Sequence, residues 1–429
     1  MDHVTVVGGG VVGLSTAYFL DRAGFRVTVV ERARVGNGAS RGNAGLIEPD
    51  IVAPLPAPGI IGQAVRGLPA PDSALYIRPR LDPALLRFVT RFWRFTSRAR
   101  FSEGARSLAH LAEGSRDLFE AMGAAGPTMG KDGLVFAFGS AARARLALRS
   151  YRELGGTKVG ALLDRADLVA LEPAVGPRAA AGFHVEDQWW LDPSRFVDEL
   201  AAHLRGRGVE IVEGAGVTSL VDGATTAVVR TSTGDLNTSA VIVAAGVGSR
   251  ALCRQLGVDI NLFPGKGYSF SVQAEPMPRH VVHLGDARVV LTPMADALRV
   301  AGTMELDSDT VAFRPRRIRA MVAAAQPYVK SADWEGRTSE WMGSRVLTPD
   351  GLPAIGRLPG TRRVILATGH NMLGLMLAPS TGQMVTDILT ADTPFEAARP
   401  FDPDRLARPV RRAARLHDRS PKSCAAPKI

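Results

Sequence analysis

The stretch Val4-Thr5-Val6-Val7-Gly8-Gly9-Gly10-Val11-Val12-Gly13-Leu14-Ser15-Thr16-Ala17 decides the fold. It opens with an uncharged, β-branched run, as a buried parallel strand requires. Gly8, Gly10 and Gly13 follow at G-x-G-x-x-G spacing. Gly8 allows a tight turn, Gly10 lets backbone approach a pyrophosphate, and Gly13 lets the next helix pack on the strand. That helix carries Leu14, Ala17, Tyr18, Leu20 and Ala23 on one face and stops at Gly24. A second apolar strand over 25–30 ends in Glu31, an acid placed to accept hydrogen bonds from both ribose hydroxyls of an adenosine. Chance glycines would not bring strand, turn, helix, strand and acid in this order. The reading is an α/β chain built around an N-terminal dinucleotide site.

With 429 residues, the chain is long enough for two domains with their own cores. It is 46% hydrophobic and 22% charged, an ordinary globular composition. No run approaches the roughly 18 apolar residues of a membrane span. The N-terminus passes straight into a strand without a basic n-region, so the expectation is a cytoplasmic protein. Cys253 and Cys424 stand far apart and make neither a metal site nor a disulfide framework. The net charge of +10 is mostly arginine, and Arg405 to Ile429 hold eight basic and one acidic side chain. This tail reads as a poorly ordered extension. It is either simply solvated, the favoured reading, or a peripheral contact with anionic lipid on the inner face of the cell membrane. No motif supports nucleic-acid binding.

Residues 34–47 are nearly all small (Arg34-Val35-Gly36-Asn37-Gly38-Ala39-Ser40-Arg41-Gly42-Asn43-Ala44-Gly45-Leu46-Ile47). They form either a surface loop or a backbone ribbon against a flat ligand, and their place just after the acid favours the ribbon. The pattern then predicts helix from Pro83 to about Ala124, a strand over 133–138, and helices over 141–154 and 164–171. These break the βαβ alternation and belong to an inserted second domain. Asp192-Pro193-Ser194 opens a helix to about Arg205; a strand over 208–212, a hairpin over 217–229 and a buried strand over 240–246 follow. From Leu262 to Trp341 strands dominate (268–272, 289–293 and 298–304), with a helix over 316–329. A last buried strand spans 363–369 and a last helix 375–389. Trp189 and Trp190 mark a domain crossing, where they either narrow a pocket or pack.

At this point the chain resembles the flavin-dependent amine oxidoreductases of the D-amino acid oxidase superfamily, and within it the bacterial D-amino acid and hydroxy-D-proline dehydrogenases. The resemblance covers residues 1 to about 402. It rests on the glycine turn with Glu31, Ala39-Ser40-x-x-Asn43-Ala44-Gly45, Glu172-Pro173 and Ala244-Ala245-Gly246. Gly265-Lys266-Gly267-Tyr268-Ser269 and Gly302-Thr303-Met304-Glu305 follow. The last are Trp341-x-Gly343-x-Arg345-x-x-Thr348-Pro349-Asp350-Gly351-Leu352-Pro353 and Thr368-Gly369-His370-x-Met372-Leu373-Gly374. Val346 stands where relatives often have proline.

The resemblance implies a Rossmann-like FAD-binding domain (segments 1–55, 190–255 and 340–402) interleaved with a substrate domain on a mixed β-sheet (56–189 and 256–339), with the tail at 403–429. It implies FAD held by Gly8, Gly10, Val11, Val12, Gly13, Glu31, Arg32, Ser40, Asn43, Ala44, Gly45, Leu46, Val217, Ala245, Gly246, Gly343, Gly369, His370, Met372, Leu373 and Gly374. Neither cysteine stands where relatives tether flavin, so the expectation is non-covalent binding.

Oxidising an amino acid at Cα requires that carbon to be held against flavin N5 for hydride transfer. Arginine's planar fork grips a carboxylate bidentately, and Arg345 occupies the matching motif. Its competing reading is a structural ion pair under the Pro349-Asp350-Gly351 turn. Arg299 is a second candidate cation. Tyr268 either closes the substrate pocket with its hydroxyl or packs. His370 could be a general base, although the family gives it no such role. The loop 369–374 precedes a helix whose N-terminus can face the negative end of reduced flavin. The expected activity is a dehydrogenase passing electrons from an amino acid or amine to a quinone or another carrier. A glycine- or sarcosine-type oxidase using oxygen and a non-catalytic flavin-binding protein are the rivals.

Overall fold

The computed structural model describes residues 2–67, 72–78, 81–123, 129–156, 158–391 and 396–410. Two sheets organise them. In the first, the strand order is Ala354–Arg357, Val364–Thr368, Ala240–Val243, His3–Val7, Arg26–Val30, Glu210–Val212. Every neighbouring pair is parallel except the first. Helices Val11–Arg22, Pro193–Gly206 and Ala378–Thr390 supply Leu14, Leu20, Leu200 and Val385 to the core that also buries Val29, Ile242 and Ile365. The opposite face packs Val30, Val241, Val243 and Leu366 against Leu220, Val229 and Leu252. Burial on both faces is why these strands read as unbroken β-branched runs. Asp192 caps the helix Pro193–Gly206 by accepting from Ser194 N and Arg195 N at 2.8 and 3.3 Å, with proline at the first helical position.

The second sheet runs Thr338–Leu347, Phe263–Val272, Leu298–Leu306, Val289–Pro293, Val281–Leu284, Leu134–Phe138, Ala181–Val185, and Leu75–Ile77 pairs off this path with Leu298–Leu306. It is mixed, with parallel pairs at Val281–Leu284 against Leu134–Phe138 and at Leu75–Ile77. One face buries Phe270, Leu298 and Val300 against Ile318 and Met321 of helix Pro315–Ala325. Its strands lie in sequence between those of the first sheet, so the two sheets are interleaved. The expected boundary at 339/340 falls inside the strand Thr338–Leu347, which pairs along its length with Phe263–Val272.

Three further expectations are corrected. The helical pattern from Pro83 forms Pro83–Trp93, Arg98–Ala112 and Ser115–Ala121, because Ser97 starts a new helix as its N-cap and Gly114 turns left-handed at φ 71°. The expected hairpin over 217–229 is a three-stranded meander, Val217–Asp222, Ala227–Thr231 and Gly234–Thr238. Residues 403–410 of the tail pack on the fold: Leu406 is buried, and Arg405 pairs with Asp350 at 2.8 Å. Residues 411–429, with most of the basic charge, lie outside the described residues.

Candidate active site

The carboxyl ends of the parallel strands His3–Val7, Arg26–Val30, Ala240–Val243 and Val364–Thr368 bring together four segments far apart in sequence: the glycine turn, Glu31-Arg32, Ala245-Gly246 and the loop 369–374. This edge of an open α/β sheet is where such folds hold ligands. The turn is tight because bare backbone meets bare backbone. A Cβ on Gly8 would stand 2.4 Å from the Ala244 carbonyl oxygen, and one on Gly13 1.9 Å from that of Gly8. Gly10 is the N-cap of helix Val11–Arg22, and the Val11 amide donates to Ser40 Oγ at 3.0 Å. The Glu31 carboxylate accepts from Gly9 N at 2.8 Å and Ala33 N at 3.0 Å, so it is fixed beside the turn. Ala215 N donates to Glu31 O, which brings the segment leading to Val217 alongside. Gly216 stands against Arg32. Closely packed, side-chain-free backbone beside a fixed acid fits the pyrophosphate and ribose of a dinucleotide such as FAD.

The ribbon 39–48 leaves this edge and crosses one face of the second sheet. Asn43 Oδ1 accepts from Gly45 N at 2.8 Å and folds the ribbon on itself. Thr292 Oγ1 donates to Ala44 O at 2.7 Å, and Arg299 donates to Arg41 O at 3.3 Å. Leu46 begins a short strand paired with Trp190. The Trp341 indole fits between two glycines. A Cβ on Gly42 would lie 2.1 Å from its Cδ2, and one on Gly343 1.9 Å from its Cη2.

On that face, antiparallel register places Arg345 opposite Gly265, Gly343 opposite Gly267 and Trp341 opposite Ser269. The Arg345 guanidinium lies flat on Gly267, where a Cβ would come within 2.3 Å of its Cζ. Arg345 Nη1 donates to Thr303 O at 3.1 Å. Thr303 has φ 62°, costly for a β-branched residue, and it sits where the ladder shifts register. Among the described residues Arg345 has no ion pair. Asp350, its expected structural partner, is paired with Arg405 instead. Burial pulls the Arg345 guanidinium down to about 10, so it remains a cation at neutral pH.

These segments span most of the chain, and the model of the family described as DAO, FAD dependent oxidoreductase, matches residues 3–388. The chain belongs to this family. It is 33% identical over 430 residues to the D-amino acid dehydrogenase of Cereibacter sphaeroides, covering 95% of this chain and 98% of that one. It is 34% identical over 431 residues to D-amino acid dehydrogenase 2 of Ralstonia nicotianae, covering 93% and 99%. Among solved structures, glycine oxidase from Geobacillus kaustophilus matches with TM-score 0.69 at 21% identity, covering 94% and 98%. FAD-bound L-α-glycerophosphate oxidase from Mycoplasma pneumoniae matches with TM-score 0.70 at 19% identity, covering 92% and 97%. At these identities the two structures establish the shared fold: a Rossmann-like FAD-binding region joined to a β-sheet substrate domain.

Two expected catalytic residues of this DAO chain lie elsewhere. Tyr268 pairs with Met342 and faces away from Arg345. Its hydroxyl donates to Glu305 Oε2 at 2.9 Å, next to the buried Lys266–Asp307 pair at 3.0 Å. It therefore packs behind the sheet, and burial with the Glu305 charge pushes its phenol up. His370 is also turned from the site face, with Nε2 2.9 Å from Thr381 Oγ1 on the last helix. Burial pulls its imidazole down to about 4, so the ring is neutral and a poor proton acceptor at neutral pH. Met372 is exposed, and Leu373 N donates to His370 O, which tightens the loop ahead of Gly374. Asn371 ties this loop to the Arg345 strand. Its Oδ1 accepts from Thr348 N at 3.1 Å, and its own amide donates to Val346 O at 2.9 Å. Glu48 had no place in any sequence motif; Thr303 and Trp341 stood in motifs and Asn371 in the flavin-facing loop, but none of their side chains had a role.

A pH dependence follows from the buried imidazoles. His283, pulled down to about 4 by burial and then by Arg288, and His370 bind protons in the unfolded chain near 6.5 but not in the folded one. Their neutral burial is without cost above about 6.5, and stability is lost as pH falls towards 4, by about 3 kcal/mol for each. Denaturant unfolding across this range should show the fall, and His283→Leu should flatten it. An unchanged slope in the variant would place the acid sensitivity in other groups.

Proposed function

We propose that this enzyme oxidises the CH–NH bond of a D-amino acid or a D-proline-like imino acid and passes the electrons to a quinone or another carrier. FAD, when bound, supplies the hydride acceptor. The observation that carries the reading is Arg345, a cation without a counter-charge among the described residues, aimed along the sheet face that the ribbon covers. Its fork, steadied by Thr303 O and flat on Gly267, is shaped to take the substrate carboxylate bidentately. That grip holds Cα in place and gives the cation the partner it lacks. Hydride leaves a neutral amine, so the ammonium proton is lost first; the imine from a primary amino acid hydrolyses in water to a 2-oxo acid and ammonia, whereas a proline-like substrate gives a cyclic imine.

The sequence kinship to D-amino acid dehydrogenases supports the D configuration and a carrier other than oxygen. Non-covalent flavin is supported by Cys253, which is buried with its thiol pushed up to about 12; Cys424 lies outside the described residues. The test is anaerobic. D-amino acids, D-proline, hydroxy-D-proline, glycine, sarcosine and L-amino acids are added to the yellow protein and flavin absorbance is followed. Rapid bleaching by D-substrates, with slow recovery in air and fast recovery with a quinone, is the expected result. Bleaching confined to glycine or sarcosine with fast recovery in air would replace this reading with an oxidase.

A further inference from the structure

Trp341 and Arg345 alternate with the residues between them on the strand Thr338–Leu347, so both side chains leave the same face. The register brings the two closer than their spacing in sequence suggests. Gly343 and Gly267 are directly opposed, and the Cβ positions of opposed residues are about 5 Å apart. The Arg345 guanidinium covers Gly267, with Cζ 2.3 Å from where that Cβ would be. The six-membered ring of Trp341 covers Gly343, with Cη2 at 1.9 Å and Cζ2 at 2.1 Å from the corresponding point. Cation and indole therefore lie side by side on a floor of two glycines, and both are only partly buried. The floor continues in small residues: Ser269, next after Gly267 on this face, is paired with Ala301.

The indole cannot give way. Its other edge lies against Gly42 of the ribbon, where a Cβ would be 2.1 Å from both Cδ2 and Cε3. Backbone on both sides pins the ring, so its bulk is fixed. Two other sides of the Arg345 fork are taken as well. Gly265 is covered by Met304 Sδ and Leu347 Cδ1, which stand 2.6 and 2.7 Å from its Cβ position. Thr303 stands at Nη1, which its carbonyl holds at 3.1 Å.

We propose that Trp341 is a specificity-determining residue, whose indole walls the substrate side chain and sets how large a side chain the enzyme accepts. A substrate gripped at Arg345 has its Cα one bond beyond the carboxylate, beside the ring. Met304, Leu347 and Thr303 already occupy the neighbouring floor, so the side chain leaves along the indole. A group too large for that gap meets a ring that cannot turn aside, and even one methylene of misfit is worth about tenfold or more in discrimination. This inference rests on the amino-acid reading above.

The experiment is anaerobic flavin reduction by D-alanine, D-valine, D-leucine and D-phenylalanine in the holoenzyme and in Trp341→Ala and Trp341→Phe. Met342→Ala is the control, a change on the same strand whose side chain packs on the opposite face with Tyr268 and Phe270. Flavin content and unfolding midpoint confirm that the variants are intact. In Trp341→Ala the ratio of kcat/KM for D-phenylalanine to that for D-alanine should rise about tenfold or more, with D-leucine in between. Trp341→Phe should raise it less, and Met342→Ala should leave it unchanged. If Trp341→Ala loses its flavin, the ratio in Trp341→Phe decides. An unchanged or falling ratio, or equal losses on every substrate, would overturn the inference and leave the indole as a prop between ribbon and sheet. If D-alanine bleaches the flavin but the ratio does not rise, only the Trp341 assignment fails. If no amino acid bleaches it, the proposed function fails as well.

Discussion

Gly13→Val is expected to yield protein without flavin, or no folded protein at all. The first atom of any side chain at this position would stand 1.9 Å from the Gly8 carbonyl oxygen and 3.1 Å from its carbon, both backbone. No rotamer avoids this. The helix Val11–Arg22 would have to move away from the strand by more than 1 Å in an interior packed as densely as a crystal. It is held on its far side too, because Gly382 of the last helix rests on Ser15 O, where a Cβ would be 2.7 Å away. The displacement would open the turn and separate its amides from Glu31. Overpacking of this kind costs several kcal/mol, a large share of the roughly 5–15 kcal/mol of a native protein. Gly24→Ala is the control. Its φ of 87° is unfavourable for alanine, but nothing lies within 4 Å, so about 1 kcal/mol is expected and flavin should be retained. Flavin-to-protein ratio and unfolding midpoint read both variants. A Gly13→Val protein with full flavin and a midpoint within a few degrees of wild type would contradict the close-approach account.

Arg345→Met should behave in the opposite way, losing catalysis while keeping or gaining stability. The guanidinium gives up water, receives one carbonyl from Thr303 in return and has no ion pair among the described residues. Methionine fills the space over Gly267 and removes an uncompensated charge, a change that is often neutral or stabilising. Catalysis should fall because truncating one partner of a buried, hydrogen-bonded charge pair costs about 2–5 kcal/mol, roughly thirty- to several-thousand-fold in kcat/KM. Arg345→Lys should recover only part of this, since it restores a point charge without the fork. A stability loss as large as the activity loss would return Arg345 to a structural role.

The first turn was legible in the sequence because glycine spacing encodes close approach directly, and the strands around it because burial on both faces leaves only apolar residues. The second sheet was harder to read. Every residue of Phe263–Val272 except Pro264 is buried, so no alternation separates its faces, and the parity that sends Arg345 one way and Tyr268 the other appears only with the partner strand. Lys266 reads as a surface charge until Asp307, 41 residues on, is seen beside it. Thr338–Leu347 was missed as a strand because its Trp-Met-Gly-Ser-Arg run mixes sizes and polarities to suit a ligand face. Glu48, followed by Pro49 and Asp50, has the local look of an exposed loop, yet burial pushes its carboxyl up to about 7. His370 lies in a cofactor loop, but its hydrogen bond to Thr381 turns it to the helix, and no local pattern records that contact.

The most direct test of the account removes the same interaction from each side in turn. Anaerobic flavin reduction is compared for D-alanine and D-alaninamide, with wild type and with Arg345→Met. If Arg345 grips the substrate carboxylate, wild type should lose a hundredfold or more on the amide, while Arg345→Met reduces slowly with both substrates at nearly equal rates. A variant that still prefers D-alanine as strongly as wild type does would show that the carboxylate is bound elsewhere.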